Sequence, residues 1–256
     1  MEARKVPAMH GWMWIKQGYW LFKKNPLLWM VLTSIGVVGI FGISMIPVVG
    51  DPLSTLLFPV LLAGFMFGCH ALAQGEELEL AHLFGGFQKF TQQLVALGGI
   101  NLVCQLLILG LMMLTGGAAL VSLLMSGKPV EDPTLLVQAA AGAGLAIMLG
   151  IFLYSLLLMA LQFAPMLVIF SGMRPVAALQ ASLRAFVRNF LPLTVYGLAL
   201  MPFMILASMP MMLGWLVLLP IILTSMYAIY LDLFQTHTEA TTAKNSDAAN
   251  DEQEHF

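Results

Sequence analysis

Four long stretches of this chain contain no Asp, Glu, Lys or Arg: 25–50, 90–127, 133–173 and 189–231. Each is longer than the about 20 residues that a helix needs to cross a bilayer. Inside lipid, only helices and closed barrels satisfy all of their backbone hydrogen bonds. Because the apolar residues run continuously instead of alternating, helices are favoured over strands. We therefore predict an all-α integral membrane protein.

The composition points to the same class. Charged residues make up 9% of the chain, whereas soluble domains carry about 25%. The few basic residues flank apolar blocks and do not form a cluster that could follow a phosphate backbone. We therefore expect a lipid bilayer as the main partner, and no nucleic acid.

Turn residues divide the apolar runs into six spans within one polytopic domain, residues 1–235. As a single helix, 189–231 would be about 65 Å long, twice the thickness of a bilayer, so Pro210 and Gly214 are taken to split it. The predicted spans are 27–49, 55–73, 94–124, 138–171, 190–209 and 214–234. Glycine pairs in the third and fourth spans leave a division into eight spans open. The polar, acidic residues 236–256 are predicted to form a disordered tail.

An amphipathic segment precedes each odd-numbered span, at 9–24, 76–90 and 174–189. A phrase of the form Phe-x-cation closes each segment: Phe22-Lys23-Lys24, Phe87-Gln88-Lys89 and Phe186-Val187-Arg188. A second phrase puts a proline into each even-numbered span: FPVLL, APMLV and LPIIL, with Pro59, Pro165 and Pro220. The constant order predicts three repeats of an interfacial helix plus a helical hairpin. Chance similarity between apolar segments is the alternative.

The amphipathic segments are expected to lie in the membrane interface and to hold anionic lipid headgroups. Tryptophan prefers the headgroup level, and long basic side chains reach it from apolar surroundings. Such helices bind through apolar area together with attraction to anionic lipid. The residues expected to do this are Trp12, Trp14, Lys16, Trp20, Lys23, Lys24, Lys89, Arg184 and Arg188.

The distribution of basic residues predicts the orientation. With six spans, ten of the eleven Lys and Arg residues fall on one side of the membrane, and Lys128 alone falls on the other. Basic residues are enriched on the cytoplasmic side of membrane proteins. Both termini are therefore predicted to be cytoplasmic, in a multi-pass protein of a bacterial inner membrane.

Few residues in the spans could carry chemistry. His70 is the ionisable candidate for a solute path, although no acid lies mid-span to pair with it. Three neutral polar residues are weaker candidates, because such side chains often join helices: Asn101, Gln105 and Gln162. The three prolines have two readings, as kinks that serve packing or as hinges that gate a path.

Recognised catalytic and metal-binding motifs do not occur in the sequence. It contains no nucleotide loop, no nucleophile elbow and no HExxH. Glu76, Glu77, Glu79 and His82 follow no recognised ligand spacing and are read as a solvated face. We therefore expect no enzyme activity, no cofactor and no metal.

The aromatic-rich segment GWMWIKQGYWLFKKNPLLW, followed by proline-bearing hairpins, resembles an uncharacterised family of bacterial inner-membrane proteins. This family looks distantly like the membrane domain fused to some glycerophosphodiester phosphodiesterases. The resemblance covers nearly all of 9–235 and implies a six-helix bundle without an assigned substrate. It carries over no catalytic residues, because the hydrolase part of those fusions has no counterpart here.

Two classes of function remain. The first is a non-enzymatic accessory or scaffold protein of the cell envelope, with a membrane-protein partner of unknown identity. The lack of buried charge and the three interfacial helices favour it. The alternative is a transporter or channel for a small or lipidic solute, which the repeat and the kinked even-numbered spans favour.

Overall fold

The computed structural model describes residues 3–125, 133–209 and 211–235. In this part of the chain six helices are long and apolar enough to cross a membrane, and no strand occurs. They are Pro26–Ser44, Gly50–Ala73, Thr91–Ser122, Gly144–Ser171, Phe190–Ser208 and Trp215–Phe234. The predicted all-α membrane fold with six spans is confirmed, whereas the predicted tail, 236–256, lies outside the described residues.

The helices follow the predicted order of amphipathic segment, odd-numbered span and even-numbered span. The α-helices are α1 (His10–Lys24), α2 (Pro26–Ser44), α3 (Gly50–Ala73), α4 (Gly86–Lys89), α5 (Thr91–Met112), α6 (Ala118–Met125), α7 (Pro133–Gly142), α8 (Gly144–Leu161), α9 (Ala164–Ser171), α10 (Pro175–Arg188), α11 (Phe190–Ser208) and α12 (Trp215–Tyr230). A 3₁₀ turn, Leu80–Phe84, precedes α4. Single π-helical turns follow α5 (Met113–Gly117) and α12 (Leu231–Gln235).

The Phe-x-cation phrase marks a corner in the chain. In all three repeats the cation is the last residue of an amphipathic helix, namely Lys24, Lys89 and Arg188. One non-helical residue follows, and the next helix is the membrane span. At the first corner, Asn25 caps α2 by accepting the N–H of Leu28, and Pro26 takes the first helical position, where its missing N–H costs nothing. The phrase is thus where each amphipathic segment turns into a span.

Helices α3, α9 and α12, each part of an even-numbered span, form the centre of the bundle. In their most apolar stretches, 61% of α3 and 50% of the span containing α12 are buried, against 22% of α2 and 28% of α11. Helix α3 packs against both α9 and α12, and the rings of Phe170 and Tyr230, 5.4 Å apart, join α9 to α12. Only 17% of the most apolar stretch is buried in both Thr91–Ser122 and Gly144–Ser171. The odd-numbered spans together with α8 therefore present most of the surface that faces lipid.

Each amphipathic segment packs on the even-numbered span of the preceding repeat. The 3₁₀ turn and α4 of the second repeat pack on α3 of the first, and α10 of the third repeat packs on α8 and α9 of the second. Helix α1 of the first repeat packs on α12 of the third repeat. The three repeats therefore close into a ring.

The prolines that recur in the even-numbered spans lie near these docking points. Thr224 donates its hydroxyl to the carbonyl of Pro220 at 3.0 Å and to that of Gly18 in α1 at 2.8 Å. Pro165 lies in the first turn of α9, which follows a break in the span. At this break Ser182 of α10 accepts the N–H of Phe163 at 3.0 Å. Polar side chains thus satisfy backbone groups near the prolines. This arrangement favours the reading of the prolines as kinks that serve helix packing over the reading as hinges that gate a path.

Several span boundaries differ from those predicted, most of all around the first turn and in the middle hairpin. Helix α3 begins at Gly50 instead of 55, because Pro52 lies in its first turn, where a proline is tolerated. The turn lies at 45–49, where Val48 has a φ of 71°. In the middle hairpin, the chain breaks at Gly116, with a φ of 97°, and at Ala143. Helices α6 and α7 beyond these breaks are too short to cross a membrane, which excludes the eight-span alternative.

The close approach of α1 to α12 can be tested at Gly18. A Cβ atom there would lie 2.6 Å from the backbone nitrogen of Ser225, whereas nothing lies within 4 Å of one at Gly197. We expect Gly18→Ala to lower the free energy of unfolding by about 1–3 kcal/mol, because the helices must separate. The control, Gly197→Ala, should not destabilise the protein. Unfolding in mixed micelles measures both, and equal effects would contradict the docking of α1.

Candidate functional site

A groove with a volume of about 350 Å³ lies between α1 and α12. One face of α1, the facing side of α12 with the turn after it, and the end of α3 line it. The lining residues are His10, Met13, Gln17, Leu21, Ala73, Thr224, Tyr227, Ala228, Leu231 and Asp232. Their spacing of three and four along each helix places them on one stripe. The groove is thus a consequence of the docking that closes the ring.

The carboxylate of Asp232 forms the polar end of this groove. Its Oδ2 lies 2.6 Å from Nδ1 of His10 and accepts the indole N–H of Trp14 at 2.8 Å. Trp14 is fully buried, while the side chains of His10 and Asp232 are 19% and 18% exposed. A buried indole N–H needs a hydrogen-bond partner. Asp232 supplies one and so ties α1 to the end of the last span.

The N-terminal segment is fixed beside this polar end. The fully buried Asn189 accepts the N–H of Val6 at 2.9 Å and donates to the carbonyl of Arg4 at 2.9 Å. The N–H of Arg4 donates to the carbonyl of Leu233, next to Asp232, at 2.9 Å. The chain entering α1 is therefore held to both the third corner and the end of α12.

His70 belongs to a second polar cluster, which joins the three even-numbered spans. Its Nδ1 lies 2.9 Å from the hydroxyl of Tyr227, and its Nε2 lies 2.9 Å from the amide nitrogen of Gln74. The ring of Phe170 packs 5.1 Å from the imidazole. Since Tyr227 also lines the groove, this cluster adjoins it. His70 thus joins α3 to α12.

The other candidate path residues lie elsewhere. Asn101 accepts a hydrogen bond from Gln105 at 3.1 Å, within α5. Gln162 lies in the break between α8 and α9. Among the described residues no hydrogen bond joins these three side chains to His70, so the four do not converge on one site.

Most of the predicted interface residues are exposed, as a headgroup contact requires. Lys16 lies over the ring of Trp12, 5.8 Å from its centroid. Lys24 donates to the carbonyl of Leu72 at 2.9 Å, near the end of α3, where a cation suits the helix dipole. The exposed members are Trp12, Lys16, Trp20, Lys23, Lys24, Lys89, Arg184 and Arg188. The prediction was wrong for Trp14. This side chain packs inside the bundle and is fully buried, so it cannot contact headgroups.

Sequence reasoning missed the pairing of His10 with Asp232. The two residues are 222 positions apart, and no periodicity links them. A signal existed in Asp232 itself, an acid between two leucines at the end of an apolar run. Sequence reasoning also missed that Glu79 and His82 form a reciprocal capping box on the 3₁₀ turn, which gives them a structural role.

Comparison with known proteins yields one informative relative. The chain is 32% identical over 202 residues to a protein of Burkholderia thailandensis named as a probable inner membrane protein, covering 77% of this chain and 74% of the relative. No protein-family model matches the chain, and no solved structure matches it significantly.

A double-mutant cycle tests the contact between Trp14 and Asp232. Asp232→Ala leaves the buried indole N–H without this acceptor and should destabilise the protein by about 1–3 kcal/mol. Trp14→Phe removes the donor, so the double variant should lose less than the sum of the single losses, with a coupling of at least about 0.5 kcal/mol. Unfolding in mixed micelles gives all four values. Strict additivity would show that the contact contributes nothing.

Proposed function

The chain belongs to the family of the Burkholderia thailandensis inner-membrane protein, and we propose that it acts as a non-enzymatic accessory or scaffold protein of the cell envelope. It is a multi-pass membrane protein with six helical spans. The proposed role is to offer a rigid, lipid-anchored surface to a partner membrane protein.

The packing at the centre of the bundle carries this proposal. Val60, Met66, Leu167 and Ile229, from the three even-numbered spans, are each fully buried in one apolar core. A solute path at a repeat interface is expected to be lined by polar or ionisable groups. A core filled with apolar side chains instead suits a protein that keeps one shape.

The ring of amphipathic segments supports the lipid-anchored part of the role. Cations end the three segments at equivalent corners, and these side chains are exposed. Near an anionic membrane surface each Lys or Arg contributes about 1 kcal/mol of attraction. Three such points around one bundle would fix its depth and tilt in the membrane.

The expected orientation in the membrane and the sequence resemblance fit the same role. The excess of basic residues on one side favours cytoplasmic termini, with the amphipathic segments on the cytoplasmic face. The sequence resemblance to the membrane domain fused to some glycerophosphodiester phosphodiesterases, which the comparisons do not show, would fit this role, because in those fusions a membrane domain accompanies a separate catalytic part.

A transporter or channel is the second candidate. The observation in its favour is the closed ring of three repeats, since repeats in transporters surround a common path. A transporter or channel would require that water reaches the apolar centre of the bundle at some stage of its cycle.

The orientation is tested by labelling single cysteines in a Cys104→Ala background, in which Cys69 remains buried. Val48→Cys, in the turn between α2 and α3, should react with an impermeant maleimide in intact spheroplasts. Glu77→Cys, after α3, should react only after lysis. The reverse pattern would contradict cytoplasmic termini.

Accessibility of the core separates the two candidates. Leu167 is fully buried in α9, so Leu167→Cys in the same background should resist a small, permeant thiol reagent that reacts in water. Glu77→Cys is the exposed control. Labelling of Leu167→Cys in native membranes would favour a solute path over a scaffold.

Extraction in polymer discs with native lipid tests the scaffold directly. We expect mass spectrometry to find a stoichiometric membrane-protein partner. The triple variant Asn101→Leu, Gln105→Leu, Gln162→Leu should still retain this partner protein, because these three side chains do not lie in one shared site. A protected core without any partner would overturn the scaffold role.

A further inference from the structure

A pair of short helices, α6 and α7, extends from the second repeat on the membrane side opposite the amphipathic segments. The two helices, called here the distal pair, pack on each other and on the π-helical turn Met113–Gly117. A small apolar cluster of Leu120, Ala143 and Ala146, apart from the main core, joins the pair to the start of α8. These partners all belong to the second repeat, so the ring of repeats leaves the other faces of the pair uncovered.

The length of α5 places the distal pair at the edge of the hydrocarbon. The 22 residues of α5 extend over about 33 Å, and the hydrocarbon core of a bilayer is about 30 Å thick. The chain then breaks at Gly116, with a φ of 97°, and on its return it breaks again at Ala143 before α8 begins. The distal pair therefore starts where the spans have completed their crossing.

The exposed face of the distal pair is uncharged and mixes apolar with neutral polar side chains. Residues 113–125 and 133–143 contain no Asp, Glu, Lys or Arg. Met125 of α6 and Val137 of α7 are 71% and 67% exposed, and Ser122 and Gln138 are exposed beside them in the sequence. Extended apolar surface is unfavourable in water, and an exposed amide is unsatisfied in hydrocarbon. The boundary between headgroups and acyl chains meets both requirements.

The apolar exposure continues from the distal pair onto the spans. Leu111 and Leu114 precede α6, Leu145 and Met148 follow α7, and all four side chains are exposed. Lipid is the neighbour of the exposed faces of these spans. Because the distal pair continues the same surface without an intervening charge, lipid is also the neighbour that its own exposed face fits.

We propose that the distal pair inserts into the headgroup–acyl boundary of the leaflet opposite the amphipathic segments and binds the lipid surface there. The bundle is then anchored in both leaflets by different means. On one side cations attract anionic headgroups, and on the other an uncharged face binds through its apolar area. This inference goes beyond the scaffold role and does not require a partner protein.

Spin labels on single cysteines test the insertion in the full-length protein, reconstituted in phosphatidylcholine vesicles, in the Cys104→Ala background. Collisions with oxygen, which concentrates in hydrocarbon, and with a nickel chelate, which stays in water, report the depth of each label. Labels at Met125→Cys and Val137→Cys should favour oxygen. Two exposed references bracket them: Leu107→Cys within α5 should favour oxygen more strongly, and Val48→Cys in the turn between α2 and α3 should favour nickel.

Two results would overturn the proposal. A nickel preference at Val137→Cys as large as at Val48→Cys would place the distal pair in water. Low collision rates with both reagents would mean that protein, such as a second copy of this chain, covers the face. Leu120→Cys, which points into the small cluster and is 9% exposed, provides the value expected for a label covered by protein.

Lipid charge separates the two anchors. Since the distal pair carries no charge, adding phosphatidylglycerol to the vesicles should leave the collision rates at Val137→Cys unchanged, and a shift toward nickel or oxygen would contradict binding through apolar area. The scaffold role can fail separately. A label at Val137→Cys in lipid, together with no partner in polymer discs, would keep this inference while losing that role, and the reverse result would lose only this inference.

Discussion

The satisfaction of backbone hydrogen bonds in lipid is the constraint on which this bundle depends. Each even-numbered span contains or follows a proline, and no water is available in hydrocarbon to replace a lost bond. The docked amphipathic segments add hydrogen bonds near these prolines. Ser182 of α10 accepts the N–H of Phe163 at the α8–α9 break, and the carbonyl of Gly18 in α1 accepts the hydroxyl of Thr224, one turn after Pro220. Kinked spans and docked amphipathic helices are thus parts of one arrangement.

The spans and corners were predictable because their causes are local. An uncharged run must be helical in lipid. At the first and third corners the residue after the phrase, Asn25 or Asn189, leaves the helical conformation and so ends the helix. What each amphipathic segment packs against was not predictable. Three similar segments could each dock on their own hairpin or on a neighbour, and only the shapes of all the repeats together decide this.

The candidate site shows the same division between local and distant causes. His70 was singled out as a candidate for a solute path, but its hydrogen-bond partner, Tyr227, lies 157 positions away and was not foreseen. The residues that shape the groove lie on two helices from opposite ends of the chain, and Asp232 had looked like the end of an apolar run. Trp14 was misplaced because a tryptophan at the interface and a tryptophan bonded to a buried carboxylate look alike in sequence.

Ring closure by α1 sets an order of events during synthesis. Helix α1 leaves the ribosome before the six described spans, yet the helix it packs on, α12, follows five of them in the chain. Until then its buried face, with Trp14 and Phe22, has no protein to cover it and must rest in the headgroup layer. Helix α1 can therefore dock only after all six described spans have been made, and its docking reports that the ring of repeats has closed.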